Sequence, residues 1–288
     1  MTMPKILLQL DPDRHASVFD AVVAVDAGVD HLLQYAGVEP KAVRGLIHGA
    51  MFTRGPQNLQ NTAVFIGGSD VASGERLLEE VLKCFFASLR VSVMLDANGA
   101  NTTAAAAVLA AATCVPLSGS RATVLAGTGP VGQRAARLLA GQGASVRLAS
   151  RSLERSKAVC EALQKRDPAA SIQAVCTSTA EETAAAIADA QIVIAAGAAG
   201  VELLSADVRR SAKSLKVVID LNAVPPAGIA GVEVMDKGKE RDGVLCFGAI
   251  GVGGTKMKIH RAALRKLFQA NDQVLDAEEV FAIGRDLS

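Results

Sequence analysis

Ala122-Thr123-Val124-Leu125-Ala126-Gly127-Thr128-Gly129-Pro130-Val131-Gly132 reads as an apolar strand, a G-x-G-x-x-G turn and the start of a helix that runs on to Gly141. The spacing has a physical reason. Gly127 makes a tight turn, Gly129 lets a pyrophosphate approach the backbone, and Gly132 lets helix and strand pack closely. Thr128 and Pro130 lie in the turn, and the helix starting at Val131 offers unpaired N–H groups and partial positive charge that favour an anion. A lone glycine fingerprint is weak, but this one has a strand before it, a helix after it and a further strand at Ser145 to Ala149. A dinucleotide is the expected ligand.

Working outward, the next strand ends at Ala149-Ser150-Arg151-Ser152-Leu153-Glu154-Arg155. An acidic residue at this strand end would accept from a ribose 2′-hydroxyl, whereas a 2′-phosphate needs a hydroxyl and a cation. Ser150 and Arg151 supply them, and the planar arginine fork matches phosphate oxygens. NADP is therefore expected as cofactor, with NAD as the weaker alternative; Arg155 reads equally as a solvated charge. Small residues at Ile194-Ala195-Ala196-Gly197-Ala198, and Asn222 in Asp220-Leu221-Asn222-Ala223-Val224-Pro225-Pro226, fall at later strand ends, where ligands of such sheets sit. Ala196 and Asn222 are read either as cofactor contacts or as packing and a capped turn.

The 288 residues are half apolar and one-fifth charged, with a formal net charge of +1. That length suits two α/β domains, and that charge balance argues against nucleic acid as a partner. The five cysteines are widely spaced with no C-x-x-C pair, and His15, His31, His48 and His260 show no metal-ligand spacing, so no metal is expected. Neither a leader segment nor a membrane-spanning run is apparent, so a cytoplasmic protein is expected. Strands are predicted at Lys5 to Leu10, Ala63 to Ile66 and Val91 to Leu95. Helices are predicted from Val18, capped by Ser17, and over Glu75 to Phe86. An alanine-rich helix follows Asn98-Gly99 and should stop before Pro116. Further strands at Thr123 to Ala126, Ile172 to Val175, Gln191 to Ala195 and Lys216 to Asp220 make the second half doubly wound. Helices are predicted over Lys256 to Ala270 and Asp276 to Asp286. The expected α/β architecture is an N-terminal domain over 1–103, a Rossmann-type doubly wound parallel sheet over 104–256, and C-terminal helices over 257–288 crossing back to complete the first domain.

No nucleophile motif is present, and Tyr35 is followed four residues later by Glu39, so a Tyr-x-x-x-Lys pair is absent. With a hydride carrier bound, a protein need only position the reactants and manage charge. Several stretches resemble the methylene-tetrahydromethanopterin dehydrogenases. They are Ser17-Val18-Phe19-Asp20, Phe52-Thr53-Arg54-Gly55, Met94 to Thr103, Val124 to Gly132, Asp236 to Glu240, and Phe247 to Arg261. The resemblance runs over essentially the whole chain. Asp96 to Thr103 and Gly248 to Arg261 carry it most specifically, because the glycine fingerprint is shared with many dehydrogenases.

The resemblance implies two domains, NADP or NAD(P), a pterin C1 carrier as substrate, and a homo-oligomer that is a trimer or a multiple of one. It also implies that Phe19, Thr103, Lys256 and His260 line the place where nicotinamide and pterin meet. Lys256 and His260 are four apart at an expected helix start and so share one face. Asp20 and Asp96 would suit the paired N–H donors of an aminopyrimidine edge, with capping and turn roles as the competing reading. The expected activity is hydride transfer from methylene- to give methenyl-tetrahydromethanopterin. The alternatives are a methylenetetrahydrofolate or shikimate-type NADP dehydrogenase, or a non-catalytic NADP-binding protein.

Overall fold

In the computed structural model, which describes residues 3–287, the chain begins with β1 (Ile6–Leu10), α1 (Val18–Asp26), β2 (His31–Tyr35), α2 (Pro40–Phe52), β3 (Thr62–Ile66), α3 (Val71–Lys83), β4 (Ser92–Leu95) and α4 (Ala100–Ala112). It continues through β5 (Arg121–Leu125), α5 (Pro130–Gly141), β6 (Ser145–Ser150), α6 (Leu153–Arg166), β7 (Ile172–Cys176), α7 (Ala180–Ile187), β8 (Ile192–Ala195), α8 (Ala206–Ser211) and β9 (Val217–Asp220). The remaining elements are β10 (Lys237–Arg241), β11 (Val244–Phe247), α9 (Ala249–Lys266), β12 (Val274–Leu275) and α10 (Ala277–Arg285). Two compact units result. One is Met1–Thr102 with Met257–Ser288, the other Thr103–Lys256.

The first unit holds a parallel five-stranded sheet in the order β12-β4-β3-β1-β2. Its central strands β3 and β4 are buried throughout, as strands covered on both faces must be. Ser17 caps α1 by accepting from the Asp20 N–H at 3.2 Å, as its sequence position predicts. The second unit is a seven-stranded sheet in the order β10-β11-β9-β8-β5-β6-β7, parallel except for the β10–β11 hairpin. The strand order reverses between β5 and β8, the switch point outside which ligands of doubly wound sheets bind. Leu125, Val193, Val218 and Cys246 belong to the core on one face of this sheet.

Several boundaries differ from expectation. α3 starts at Val71 rather than Glu75 because the Asp70 carboxylate accepts from the Ala72 N–H at 3.1 Å and founds the first turn earlier. α9 starts at Ala249, so Gly251-Val252-Gly253-Gly254 is helical and Lys256 lies two turns inside rather than at the start. Close packing requires glycine at Gly248 and Gly251, whereas Gly253 and Gly254 have open space, so there the helix runs through glycine against its poor propensity. A Cβ at Gly248 would stand 2.1 Å from the Glu233 carbonyl oxygen, and one at Gly251 1.7 Å from that of Asp236. The sequence reading did not mark β2, α2 or the β10–β11 hairpin.

Candidate functional site

The glycine turn of the second unit joins β5 to α5 as its spacing predicts, but the residue at the tight turn is a different one. Ala126 takes the left-handed conformation at φ +52°, while none of Gly127, Gly129 and Gly132 has a positive φ. Gly127 is needed for space, since a Cβ there would lie 2.9 Å from both the Leu148 side chain and the Val124 carbonyl. A Cβ on Gly132 would lie 2.7 Å from the Gly127 Cα, which is the close helix–strand contact anticipated. Gly129 differs from both. A Cβ there would meet the carbonyl oxygens of Ala126 and Ala196 at 3.8 and 3.9 Å, so the protein itself does not require glycine, and the room serves an approaching ligand. α5 starts with Pro130 at its first position and no side-chain cap, and the Thr128 carbonyl is held by Gln133 at 2.7 Å. This cradle fits a dinucleotide pyrophosphate.

Beside it lies a cleft of about 560 Å³, lined by Ala126, Thr128, Ser150, Arg151, Arg155, Thr177, Ser178, Thr179 and Gly197 among others. Ser150 is nearly buried at the end of β6, and its hydroxyl accepts from the Ser152 N–H at 3.2 Å. Arg151 and Arg155 are exposed on the cleft wall. The opposite wall, Thr177 to Thr179, escaped the sequence reading. It is held by a capping box in which Glu182 accepts from Ser178 and Thr179 while Thr179 caps α7. Those hydrogen bonds, those of Ser178 foremost, hold the Glu182 carboxyl below the usual range. The signal available in the sequence was Ser178-Thr179-x-x-Glu182 directly after a strand.

Asn222 is turned back on its own loop. Its amide donates to the Pro226 carbonyl at 2.9 Å and its oxygen accepts from Val224 at 2.9 Å. Buried Asp220 supports the same loop by accepting from the N–H groups of Asn222 and Ile229. Burial pushes the Asp220 carboxyl up against these hydrogen bonds.

The first unit gathers Phe19, Asp20, Asp96 and His260, although 164 residues of sequence separate Asp96 from His260. His260 is buried, with its ring stacked on Phe65 at 5.5 Å between centroids and tilted against Phe19 at 6.4 Å. Its Nδ1 lies 4.0 Å from the Asp96 carboxylate. Phe19 is half-exposed rather than a core residue. The Asp20 carboxylate lies over the β3–α3 turn, 3.0 Å from where a Cβ on Gly67 would stand. Burial raises its pKa, His260 and the Ser17 hydroxyl oppose that, and the nearby Asp96 and Asp11 charges add to it.

Asp96 takes the capping role that competed with the ligand-facing one in the sequence reading. It is fully buried, and it accepts from the Asn101 and Thr102 N–H groups at 2.9 and 3.0 Å and from the Thr102 hydroxyl at 2.7 Å, holding the start of α4. Asp11, unmarked in the sequence reading, fixes the β1–α1 loop by accepting from Asp13 and Ser17 at 2.9 Å each. Thr103 is half-buried in the first turn of α4. Lys256 is also half-buried and lies one turn before His260 on α9. Among the described residues there is no group of three or more His, Cys, Asp or Glu placed to hold a metal ion.

Residues 18–98 match the family pattern described as methylene-tetrahydromethanopterin dehydrogenase, N-terminal. A protein of Methylorubrum extorquens named bifunctional protein MdtA is 45% identical over 286 residues, covering 99% of each chain. A second protein of that organism, the NAD(P)-dependent methylenetetrahydromethanopterin dehydrogenase, is 32% identical over 292 residues and covers 98% of each. The chain belongs to the methylene-tetrahydromethanopterin dehydrogenase family. Among solved structures, a chorismate mutase/shikimate 5-dehydrogenase fusion protein from Clostridium acetobutylicum shares the fold with a TM-score of 0.58 at 11% identity, over 99% of this chain and 97% of that one. Family membership thus rests on sequence along the full length, and the wider fold is common to dehydrogenases of other substrates.

Proposed function

We propose that this family member oxidises methylene-tetrahydromethanopterin to methenyl-tetrahydromethanopterin with NADP in one-carbon metabolism. The observation that carries the reading is the 32% identity, over 98% of each chain, to a relative named for that reaction. The open cradle at Gly129 and the Ser150–Arg151 corner of the cleft support it.

When bound, the nicotinamide supplies the hydride acceptor. Gly127, Thr128, Gly129, Pro130, Val131 and Gly132 bind the pyrophosphate at the start of α5, Ser150 and Arg151 hold the 2′-phosphate, and Ala196 borders the path of the dinucleotide. Asn222 shapes its loop beside that path. In the first unit, Asp20 accepts from the N–H donors of the pterin and Phe19 offers a ring face. Buried His260 holds Phe19 in place and acts as a positioning residue. Lys256 takes a carbonyl or phosphate edge, because an ammonium group beside the methenyl cation would oppose its formation. No proton leaves carbon in this reaction, so the residues need only orient the two rings, and a displacement of about 1 Å costs about a hundredfold in rate. A cytoplasmic homo-oligomer, trimeric or a multiple of three, completes the proposal.

The test is a rate assay with methylene-tetrahydromethanopterin, methylene-tetrahydrofolate and shikimate, each with NADP and NAD. Turnover of the tetrahydromethanopterin carrier with NADP is expected. The folate carrier is included because a methylenetetrahydrofolate dehydrogenase is the alternative reading of the sequence. Turnover of shikimate alone, or NADP binding with no turnover of either carrier, overturns the proposal. Lys256→Ala is expected to cut turnover with the pterin about a hundredfold while leaving NADP affinity nearly intact.

A further inference from the structure

We infer that Asp220 is a positioning residue for the dinucleotide, which fixes one wall of the cleft through Gly228 and Leu203. The inference rests on the cofactor reading of that cleft and adds how the wall is held. Asp220 ends β9, beside β8, at the carboxyl edge of the sheet where ligands of such folds lie. It is 2% exposed and does not itself border the cleft. Its carboxylate accepts from the Asn222 N–H at 3.0 Å and from the Ile229 N–H at 2.9 Å, and the Gly228 N–H adds a third hydrogen bond. Both ends of the loop 222–229 are thus tied to one side chain.

Gly228 does not have a positive φ, so space rather than backbone conformation calls for glycine there. A Cβ on it would stand 2.7 Å from the Asp220 Oδ1 and 3.5 Å from the Ala195 Cβ. On its other side, the Gly228 carbonyl accepts from the N–H groups of Leu203 and Leu204 at 2.8 and 3.1 Å, and Leu204 forms a parallel bridge with Ile229. Leu203 lines the cleft. Its Cδ1 stands 2.7 Å from where a Cβ on Gly197 would be, a place itself 3.5 Å from the Cβ of Ala126 at the glycine turn. Two residues therefore link the carboxylate to the cleft. Apolar packing would hold a loop for stability alone at less cost than a buried charge. A carboxylate with three N–H partners fixes the backbone in one arrangement. Gly197, Ala198, Val201 and Leu203 bring no cation to this wall, so its placement bears on NAD and NADP alike, and preference for the 2′-phosphate stays with Ser150 and Arg151.

The experiment is calorimetric titration of the full chain with NADP and with NAD, beside thermal unfolding, for wild type, Asp220→Asn, Gly228→Ala and a control, Thr123→Val. Asp220→Asn keeps the shape but turns one acceptor into a donor facing backbone N–H groups, and Gly228→Ala pushes the carboxylate away. The control removes the buried hydroxyl that donates to the Ala186 carbonyl at 2.7 Å in the same unit, with no link to the cleft wall. Both cofactors are expected to weaken by the same factor, about tenfold, in Asp220→Asn and Gly228→Ala. Thr123→Val is expected to unfold at a lower temperature with both affinities within about twofold of wild type. A folded Asp220→Asn that loses only stability, or that loses affinity for NADP alone, overturns the inference. A wild type that binds neither cofactor overturns the cofactor reading along with it. Should the variants not fold, hydrogen exchange on the wild type decides. Amides of Leu203, Leu204 and Ile229 that slow when NADP binds support the link, and amides unchanged by NADP overturn it.

Discussion

Two glycine turns follow central strands in this chain, Gly67-Gly68 after β3 and Gly127-Thr128-Gly129 after β5, and they serve opposite ends. In the first, Gly68 is at φ +95° and a Cβ there would stand 2.6 Å from the Pro12 ring, while the carboxylates of Asp20 and Asp11 lie close to Gly67. The following helix is capped by its own Asp70. Protein atoms and negative charge thus occupy the places a phosphate would take. In the second, the helix has no side-chain cap, the crowded glycines pack against protein, and Gly129 is open. A phosphate cradle is defined as much by withholding caps and carboxylates as by supplying glycines.

The largest effects should come from the glycines themselves. Gly132→Ala is expected to cost about 1–3 kcal/mol of stability through overpacking and to abolish measurable NADP binding. Gly68→Ala should destabilise through the same kind of clash yet leave NADP affinity within about twofold, because its turn holds no phosphate. Calorimetric titration and thermal unfolding of both variants check this. Equal loss of NADP affinity in the two would break the contrast.

Next, if Arg151 holds the 2′-phosphate as proposed, Arg151→Ala would remove one charged hydrogen bond, worth about 1.5–3 kcal/mol. NADP binding should weaken about tenfold or more with NAD nearly unchanged. Equal losses for both cofactors would move Arg151 out of the phosphate site. Asp70→Ala should lower the unfolding temperature by a modest amount without altering NADP affinity. A gain in phosphate or NADP binding on uncapping α3 would show that the cap alone separates the two turns.

The smallest effect concerns pH. Burial raises the Asp20 pKa, so the ionised carboxylate opposes folding, and that penalty appears as pH rises through the interval from the unfolded value to the raised folded one. Asp20→Asn should therefore unfold at a slightly higher temperature than wild type at neutral pH. The gap should close as pH falls towards the ordinary carboxylate range. A gap of the opposite sign at neutral pH would mean that the attraction to His260 outweighs burial.

The alternation of strand and helix in the second half was legible because each buried strand is an unbroken apolar run ending in a turn signal, as at Val124 to Gly127 and Val217 to Asp220. β2 escaped because an exposed edge carries no such run, and the start of α9 because close packing at Gly248 and Gly251 reverses what glycine signals locally. For α2 the signal was present, with Pro40 at the first position and buried Val43, Ile47, Ala50 and Met51 at helical spacing. In the site, the approach of Phe19 to His260 followed from the family resemblance, since contacts so distant in sequence leave no local pattern. Asp11 emerged only with the backbone groups it binds, and the same kind of contacts selected the capping role among the two read for Asp96.

The interrupted first unit bears on how the chain is made. β12 pairs with β4, and the Ser92 hydroxyl donates to the Ala270 carbonyl across 178 residues. During synthesis the uninterrupted unit Thr103–Lys256 has all its strands out before that pairing can form, so the first sheet is completed last although it comes first in sequence. Until Leu275 has left the ribosome, the edge of β4 that β12 covers stays open.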